Sequence, residues 1–421
     1  MEETRVLLRN VGVIDPADAG SYIAAGGYEG LKKALAMEPQ DIIDVITAAG
    51  LRGRGGAGFM AGQKLTVTAG TPADEKYIVC NADEGEPGTN KDRLLLSGDP
   101  SSMLEGMAIA GRAVGAHKGY VYLRGEYHYI FPVMEKAIKT ARADNCLGED
   151  ILGSGFDFDI EICSGGGAYI CGDETALLDS MEGKRGEPRF KPPFPGVAGL
   201  YGKPTIINNV ETLANFPLII ERGAEWFRSF GTEKCPGTKL YTVSGNVKRR
   251  GTYEFPMGMN LKTLIYDVCG GPAEGRQLLA VQTGGASCPV IRADQIDINL
   301  DIEQAAAAGA ALGSGAMLVI DDSNDLIDVL TNIADFFVHE SCGKCTPCRE
   351  GTKRMYQLIS KFNIFQGTAD DVKTIEDLAL TMTLASFCGL GQTAPTAIAS
   401  ALKNFPEAFE AHMVGKELHY A

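Results

Sequence analysis

The sequence predicts an α/β fold that continues into a small α+β module and then into an all-helical carboxy-terminal region. Three observations support this order. Strand-like and helix-like segments alternate through the first part of the chain. Short strand-like pieces separated by turns follow Lys239, and helical periodicity dominates after Leu326. We therefore divide the chain at 238/239 and at 325/326.

The first region alternates amphipathic helices with short apolar strands. Residues 41–49 carry isoleucine and valine at helical spacing, and this helix ends at Gly50. A strand is expected at 77–80, and later elements follow the same alternation. They are a helix at 103–114, a strand at 119–123, a helix at about 130–143 and a strand at 156–163.

The second and third regions have a different predicted secondary structure from the first. Strands are expected at 240–244 and 251–255, followed by a short helix at 261–268. The last region has helices at 326–339 and 370–384, and each of them leads into cysteines. The cysteines therefore lie at helix ends within a helical domain.

Composition excludes several classes of protein. A chain of 421 residues that is 45% hydrophobic can hold two or three domains, and eleven cysteines are too few for a disulfide scaffold. A net charge of -15 disfavours nucleic acid. The start of the chain lacks a signal peptide, and no stretch reaches the ~18 apolar residues of a membrane helix. We expect a cytoplasmic protein with no direct membrane insertion.

Three cysteines at intervals of three residues, together with a distant fourth, predict a metal centre. They are Cys342, Cys345, Cys348 and Cys388. Thiolates brought together in this way would repel one another without a metal. A cubane iron-sulfur cluster takes one thiolate per iron and suits this spacing, whereas zinc sites usually have two separate pairs or mixed Cys/His ligands. A 4Fe-4S cluster is therefore favoured over structural zinc.

Gly53, Gly55 and Gly58 form a G-x-G-x-x-G pattern, yet its context is not that of a dinucleotide fold. That motif needs a preceding strand, and here an amphipathic helix precedes it. Successive glycines let backbone N–H groups converge on an anion, and Arg52, Arg54 and Lys64 add positive charge. A phosphate-bearing cofactor is one interpretation, and a tight turn with solvated arginines is the other.

A second glycine-rich stretch runs from Ser164 to Thr175 and contains the paired acids Asp173 and Glu174. Acids next to a phosphate site can accept hydrogen bonds from ribose, ribityl or nicotinamide groups. Two such loops suggest two cofactors. Asn208 and Asn209 could read the edge of a heterocycle, or they could form a turn that caps a helix beginning near Glu211.

Together these motifs resemble the NADH-oxidising flavoprotein subunit of respiratory complex I and the diaphorase subunits of NAD-linked hydrogenases and formate dehydrogenases. The resemblance runs from about Gly26 to Phe409. The motifs that carry it are L-R-G-R-G-G-A-G-F, N-A-D-E-G-E-P-G, G-A-Y-I-C-G-D-E-T-A-L, K-P-P-F-P, I-N-N-V-E-T, E-S-C-G-K-C-T-P-C-R-E-G and S-F-C-G-L-G.

The resemblance implies a Rossmann-like α/β domain for FMN and NADH (1–238), a ubiquitin-like α+β domain of the soluble-ligand-binding type (239–325) and a helical-bundle 4Fe-4S domain (326–421). It implies FMN contacts from Gly53, Gly55, Lys64, Asn81, Asp83, Gly172, Asn208, Asn209 and Thr212. NADH contacts are implied for Phe59, Glu86, Glu174 and Phe194, with Glu86 as the catalytic residue. Gly56, Gly58, Glu84 and Asp173, within the same motifs, complete the expected cofactor-binding set.

The function implied is hydride transfer from NADH to FMN, followed by single-electron transfer to the cluster and on to partner subunits. Expected partners are a small thioredoxin-like 2Fe-2S subunit and further iron-sulfur subunits, which would hold the protein at the inner face of the cell membrane. A diaphorase working in the reverse or bifurcating direction is the alternative, and a non-catalytic scaffold is a third interpretation. Glu174 near the adenosine ribose would favour NADH over NADPH.

Several positions depart from the usual family pattern. Met60 to Leu65 stand where P-T-G-x-K-W is common, Val67 replaces an aromatic residue, Asn90 replaces a phenylalanine and Asp173 replaces a glutamate. The loss of an aromatic platform would weaken adenine binding by about 0.5–1.5 kcal/mol.

Overall fold

The computed structural model describes residues 2–415. A four-stranded parallel sheet lies at the centre of the first part of the chain, in the order β3-β2-β1-β4. Its strands are β1 (Tyr77–Ala82), β2 (Lys118–Leu123), β3 (Asp159–Ser164) and β4 (Thr205–Asn209). β1 is apolar and buried because it pairs with a strand on either side.

Eleven helices accompany this sheet in the described part of the chain. They are α1 (Ala19–Ala24), α2 (Glu29–Leu35), α3 (Pro39–Ala49), α4 (Ala61–Gly70), α5 (Lys91–Gly98), α6 (Pro100–Val114), α7 (Phe131–Ala143), α8 (Glu174–Met181), α9 (Val210–Ala214), α10 (Phe216–Arg222) and α11 (Ala224–Arg228). α6 is buried along almost its whole length. Gly106 permits this because a Cβ there would lie 2.1 Å from the Leu213 carbonyl oxygen of α9.

A second, mixed sheet follows in the order β6-β5-β11-β8-β9. Its strands are β5 (Thr238–Gly245), β6 (Gly251–Pro256), β8 (Leu278–Thr283), β9 (Val290–Arg292) and β11 (Ala316–Asp321). β7 (Met259–Asn260) pairs with β10 (Asn299–Leu300). Two short helices pack beside the sheet, α12 (Leu261–Thr263), which continues as a π-helix over Leu264–Val268, and α13 (Ile302–Ala307).

The remaining described chain is helical. Its elements are α14 (Leu326–Glu340), α15 (Thr346–Asn363), α16 (Ala369–Ala385), α17 (Gly389–Thr393), α18 (Thr396–Asn404) and α19 (Pro406–Ala411). 3-10 turns occur at Leu8–Asn10, Gly125–Tyr127, Ile151–Gly153, Tyr169–Gly172, Leu200–Gly202 and Ala293–Gln295. Among residues 2–415, no helix combines the length and the apolar character needed to cross a membrane.

The predicted fold class is confirmed, with two differences in the first sheet. The strand expected from Phe156 begins at Asp159, because the backbone of Phe158 is bonded instead to Gly148 at 2.8 and 2.9 Å. β4 was not predicted at all. Its five residues end in Asn208 and Asn209, which favour turns when the sequence is considered locally.

Candidate functional site

The carboxyl ends of β1 and β4 place four predicted cofactor residues side by side. β1 ends at Asn81-Ala82 and leads into Asp83, whereas β4 ends with Asn208 and Asn209. The strands are parallel and Asn81 lies opposite Asn209. Open parallel sheets bind ligands at this edge. The edge is therefore the centre of the candidate site.

Two buried polar atoms at this edge have no hydrogen-bond partner among the described residues. They are Oδ2 of Asp83 and Nδ2 of Asn208. Burial raises the pKa of Asp83 to about 7, against the opposing charge of Arg124. A buried polar atom left unpaired costs about 1–3 kcal/mol. Hydroxyl and amide groups of a ligand would satisfy both atoms, so this edge fits the polar part of FMN.

The Tyr169–Gly172 turn, after β3, borders the same edge. Asn81 Nδ2 donates to the Gly172 carbonyl at 2.9 Å, and the Asp83 backbone N–H donates to Asn81 Oδ1 at 3.1 Å. These bonds fix Asn81 between the two segments. A Cβ at Gly172 would meet nothing closer than the Asp83 carbonyl at 3.7 Å, so the surface above this glycine is open.

The first glycine loop folds back on itself as a narrow turn. The Gly53 N–H donates to the Phe59 carbonyl at 2.8 Å, which closes the turn. Gly56 and Gly58 have φ angles of +124° and +65°, a region that favours glycine. Gly56 and Gly58 are therefore required by the conformation of the loop.

This loop lies directly on the end of β4. A Cβ at Gly55 would lie 3.1 Å from the Cβ of Asn209, and the Arg54 N–H donates to Thr212 Oγ1 at 2.9 Å. Asn209 also caps α9 by accepting from the Glu211 N–H at 3.1 Å. The capping interpretation of the Asn-Asn pair is thus confirmed, although Asn209 ends a strand and not a turn.

The cations of the glycine loop differ from the prediction. Arg52 pairs with Glu303, and the Arg54 guanidinium is buried and donates to the Pro236 carbonyl at 2.7 Å. Burial lowers the pKa of Arg54. Lys64 donates to the Ile207 carbonyl at 2.9 Å. The two arginines therefore hold the loop in place and are not presented to an anion.

Two phenylalanines at the rim are exposed. Phe59 is 53% exposed and Phe194 is 56% exposed, so a ring face of each is open to stacking. Val67 lies on α4 beside the loop that carries Phe194, since a Cβ at Gly196 would lie 3.2 Å from Val67 Cγ1. The position where the family has an aromatic residue is thus at the same rim and carries a small aliphatic side chain.

The paired acids of the second loop have different partners. Asp173 caps α8 by accepting from the backbone N–H groups of Thr175 and Ala176 at 2.8 and 3.1 Å. Glu174 pairs with Lys191 at 2.8 Å and with Lys64 at 3.3 Å. The two lysines lower the pKa of Glu174 in spite of its burial.

Glu84 also has protein partners. Its carboxylate accepts from the backbone N–H groups of Asp92 and Arg93 at 2.8 and 3.1 Å, and from the Tyr127 hydroxyl at 2.9 Å. These bonds satisfy the start of α5. Any contact of Glu84 with a cofactor would come in addition to this structural role.

Glu86 is the point where both sheets contribute to the site. Its carboxylate accepts from the Tyr169 hydroxyl at 2.6 Å and from the N–H and hydroxyl of Ser287, both at 3.2 Å. Ser287 follows β8 of the second sheet. Burial raises the pKa of Glu86, and these hydrogen bonds oppose that effect.

The four predicted cysteine ligands line one cavity. Cys342 and Cys345 lie between α14 and α15, Cys348 lies in the first turn of α15, and Cys388 directly precedes α17. The other lining residues are Ile170, Pro188, Ser341, Lys344, Phe387 and Leu390. Within residues 2–415, no three His, Cys, Asp or Glu side chains gather into a site for a single ion.

The electrostatics of the cavity fit a cluster ligated by thiolates. Burial, and then the charges of the other three cysteines, raise the pKa of Cys348 to about 11. The Cys348 thiol would therefore stay protonated without a metal. Iron would take up the negative charge of the thiolates, and four cysteines without a histidine are the donor set of a 4Fe-4S cluster.

The cavity is joined to the sheet edge by short contacts. Glu340, at the end of α14, accepts from the Tyr169 N–H at 2.8 Å. Lys344 donates to the Pro188 carbonyl at 2.5 Å, and Arg185 donates to the Cys342 carbonyl at 2.7 Å. One residue, Tyr169, thus contacts both Glu86 at the sheet edge and the helix that leads to the cysteines.

Comparison with known proteins identifies the family. Residues 46–218 match the Nuo51 FMN-binding domain, 240–291 the SLBB domain and 328–412 the NADH-ubiquinone oxidoreductase-F iron-sulfur binding region. An NADH-quinone oxidoreductase subunit of Rhizobium meliloti is 48% identical over 97% of each chain. This chain belongs to the NADH-quinone oxidoreductase-F family. Its cofactors are accordingly FMN, NADH and a 4Fe-4S cluster.

Relatives of the oxidoreductase-F family also occur in hydrogenases. The NADP-reducing hydrogenase subunit HndC of Solidesulfovibrio fructosivorans is 47% identical over 99% of this chain and 85% of its own. The crystal structure of an NAD⁺-reducing [NiFe]-hydrogenase in the H₂-reduced state has a chain that matches with a TM-score of 0.87 and 36% identity. That match covers 99% of this chain and 68% of the hydrogenase chain.

The structure adds three residues to the site of this oxidoreductase-F homologue. Tyr169 and Ser287 hold Glu86, and Lys191 holds Glu174. Tyr169 lies within the G-A-Y-I-C-G motif and Lys191 within the K-P-P-F-P motif. Both motifs are recognisable in the sequence, but the sequence alone assigns no role to either residue. Ser287 had no signal in the sequence, because its contact with Glu86 spans 201 positions.

Proposed function

We propose that this protein oxidises NADH at the edge formed by β1 and β4 and passes the electrons singly to a cluster bound by Cys342, Cys345, Cys348 and Cys388. The observation that carries the proposal is the direct connection through Tyr169. This residue contacts Glu86 at the sheet edge and Glu340 at the end of α14, the helix that leads to the cysteines.

The chain's own residues would divide the work at this edge. The residues that would hold FMN are Gly53, Gly55, Lys64, Asn81, Asp83, Gly172, Asn208, Asn209 and Thr212, and Gly56, Gly58, Glu84 and Asp173 complete the proposed cofactor-binding set. FMN accepts two electrons as a hydride and releases them one at a time. Phe59 and Phe194 would stack the nucleotide, and Glu86 would contact the nicotinamide end from a position fixed by Tyr169 and Ser287.

An anaerobic visible spectrum tests this function. The purified protein should show flavin and cluster bands that bleach on addition of NADH. Bands that fail to bleach with either NADH or NADPH would instead support a scaffold. A colourless protein that binds zinc would contradict the cluster assignment.

We propose NADH over NADPH as the substrate, on the basis of Glu174. Two lysines compensate its charge, so Glu174 acts by occupying Lys64 and Lys191, which would otherwise attract a 2'-phosphate. The NADP-reducing relative makes this test informative.

Glu174→Gln should reduce the NADH:NADPH ratio of kcat/KM by about tenfold, which corresponds to about 1.4 kcal/mol. Glu161→Gln is the matched control, since Glu161 is also paired with a lysine, Lys118 on β2, but lies at the surface. An unchanged ratio in the Glu174 variant would remove this residue from the explanation of specificity.

The second candidate function is that of a diaphorase in an NAD-linked hydrogenase or formate dehydrogenase. The hydrogenase matches in sequence and structure favour it. The two candidate functions differ in the direction of electron transfer. A diaphorase should reduce NAD⁺ with a reduced viologen at a rate comparable to NADH oxidation, whereas a complex I-type NADH:quinone oxidoreductase subunit is expected to work mainly as an NADH oxidant.

The proposed partners are a small thioredoxin-like 2Fe-2S subunit and further iron-sulfur subunits, through which the protein would lie at the cytoplasmic face of the membrane. We also propose the division into 1–238, 239–325 and 326–421. It is supported by two hydrophobic clusters, of which one spans 7–240 and the other spans 235–319, whereas a third cluster contains residues from all three regions. Co-purification with the tagged native chain would identify the partners.

A further inference from the structure

A serine hydroxyl lies against one of the cysteine sulfurs. Ser341 Oγ is 3.2 Å from Cys348 Sγ, and Ser341 lines the cavity together with the four cysteines. Ser341 ends α14 and Cys348 lies in the first turn of α15, so the contact joins two helices. Cys348 is the most buried of the four cysteines, at 5% exposure, and the other three are partly exposed.

The direction of this hydrogen bond follows from its neighbours. The Gly343 N–H donates to Ser341 Oγ at 3.3 Å, so one oxygen lone pair is already engaged. A cysteine that ligates iron is a thiolate and can only accept. The hydroxyl hydrogen of Ser341 must then point to Cys348 Sγ.

The sulfurs of two other cysteines accept hydrogen bonds only from backbone N–H groups. The Phe387 N–H donates to Cys345 Sγ at 3.4 Å, and the N–H groups of Leu390 and Gly391 face Cys388. A backbone donor is set by the fold and does not change with side-chain identity. Within the described residues, Ser341 is the side chain seen to donate to a ligand sulfur.

We propose that Ser341 is a positioning residue that sets the reduction potential of the cluster. The hydrogen bond withdraws negative charge from Cys348 Sγ and stabilises the more negative, reduced cluster. Removal of the hydroxyl should therefore shift the potential to more negative values. This inference rests on the proposed cluster function and goes beyond it by naming a side chain that controls how readily the cluster accepts an electron.

The test is an EPR redox titration of the full-length protein in four forms: wild type, Ser341→Ala, Ser341→Thr and Ser341→Val. Thr and Val have the same shape, and only Thr carries a hydroxyl. We expect Ala and Val to shift the midpoint to more negative values, with Thr close to wild type and the iron content equal throughout. The rate at which NADH bleaches the flavin should not change.

Ser360→Ala is the matched control. Ser360 Oγ is also buried and belongs to α15, but Ser360 lies twelve positions beyond Cys348 and is not among the residues that line the cavity. Its removal should leave the midpoint unchanged.

The outcomes separate the inference from the function on which it rests. Equal midpoints for Thr and Val overturn the role of Ser341, and so does loss of iron from both Thr and Ala, which would assign the serine to the fold alone. A wild-type protein without iron or an EPR signal would instead contradict the cluster assignment itself.

Discussion

Single residues at this site are already engaged with protein partners before any cofactor is considered. Glu174 is held by two lysines, Glu84 by the start of α5, and Arg54 by backbone carbonyls. Free polar atoms remain at Asp83 and Asn208. The charged side chains thus fix the shape of the pocket, and uncharged or orphaned atoms are left for the ligand.

The Arg52–Glu303 pair fixes the glycine loop from outside. Arg52 lies at the start of the loop and also donates to the Gly58 carbonyl at 2.9 Å, while Glu303 belongs to α13 beside the second sheet. Glu303→Gln removes the charge of this partly exposed pair, a loss of about 0.5–1 kcal/mol after solvent screening. We expect the Kd for FMN to rise by about two- to fivefold. Flavin fluorescence quenching on the FMN-stripped protein measures it.

Glu407→Gln provides the control for that experiment. Glu407 forms a more exposed ion pair with Arg292, far along the chain from the glycine loop. Its FMN affinity should equal that of the wild type. If both variants weaken FMN equally, the effect belongs to general stability and the proposed clamp is wrong.

At the scale of elements, the sequence predicts helices well where one face is apolar. Residues 41–49, 326–339 and 370–384 appear as α3, α14 and α16 with ends shifted by at most two residues. The gathering of the four cysteines was also predicted, because the spacing of Cys342, Cys345 and Cys348 is local and Cys388 completes the four thiolates that a 4Fe-4S cluster takes. Contacts between distant segments could not be predicted in this way, since neither Glu86 with Ser287 nor Arg52 with Glu303 has a local pattern.

Glu105 of α6 connects three helices through a buried carboxyl group. It accepts from the Tyr22 hydroxyl at 2.7 Å and from the N–H groups of Tyr28 and Leu31 at 3.0 and 2.8 Å. Burial raises its pKa to about 7, although these hydrogen bonds oppose the shift. The folded protein therefore binds more protons here than the unfolded chain between about pH 4.5 and 7.

The raised pKa of Glu105 makes the stability of the protein depend on pH. Stability is lost as the pH rises through this window, and Glu105 contributes up to about 3 kcal/mol of that loss. In Glu105→Gln, the free energy of unfolding should fall less steeply between pH 4.5 and 7.5, even though its absolute value is lower. Urea unfolding at several pH values measures the slope. Glu135→Gln, on the exposed face of α7, should keep the wild-type slope. If Glu105→Gln also keeps the wild-type slope, Glu105 is not the source of this pH dependence.

At the scale of the whole molecule, the two sheets are joined by a fully buried ionic group. Glu211 of α9 accepts from Lys239 Nζ at 2.6 Å, Lys91 Nζ at 3.0 Å and the Leu240 N–H at 2.9 Å. Lys239 lies on β5 of the second sheet. Burial lowers the pKa of Lys239 to about 8, although the charge of Glu211 opposes it.

Lys239→Met leaves a buried carboxylate with one of its two lysines. Removal of one partner from a buried pair typically costs about 3–5 kcal/mol, and Lys91 should hold the loss to the lower end. Urea unfolding measures it, with Lys262→Met at the surface as the control. Lys239→Met combined with Glu211→Gln should lose less than the sum of the single variants; strict additivity would show that the two residues do not interact.

The last prediction concerns the path of electrons across the molecule. The sheet edge is built by β1, β4 and the loop after β8, and none of these contains a cysteine of the cavity. Cys388→Ser should therefore leave the bleaching of flavin by NADH intact and abolish transfer onward to the native partner complex, because the cluster loses one of its four ligands. Stopped-flow absorbance and EPR follow the two steps separately, with Cys269→Ser, a buried cysteine of the second region, as the control. Tyr169 contacts both halves of this path, so simultaneous loss of both steps would mean that the cluster holds the flavin site together and is structural.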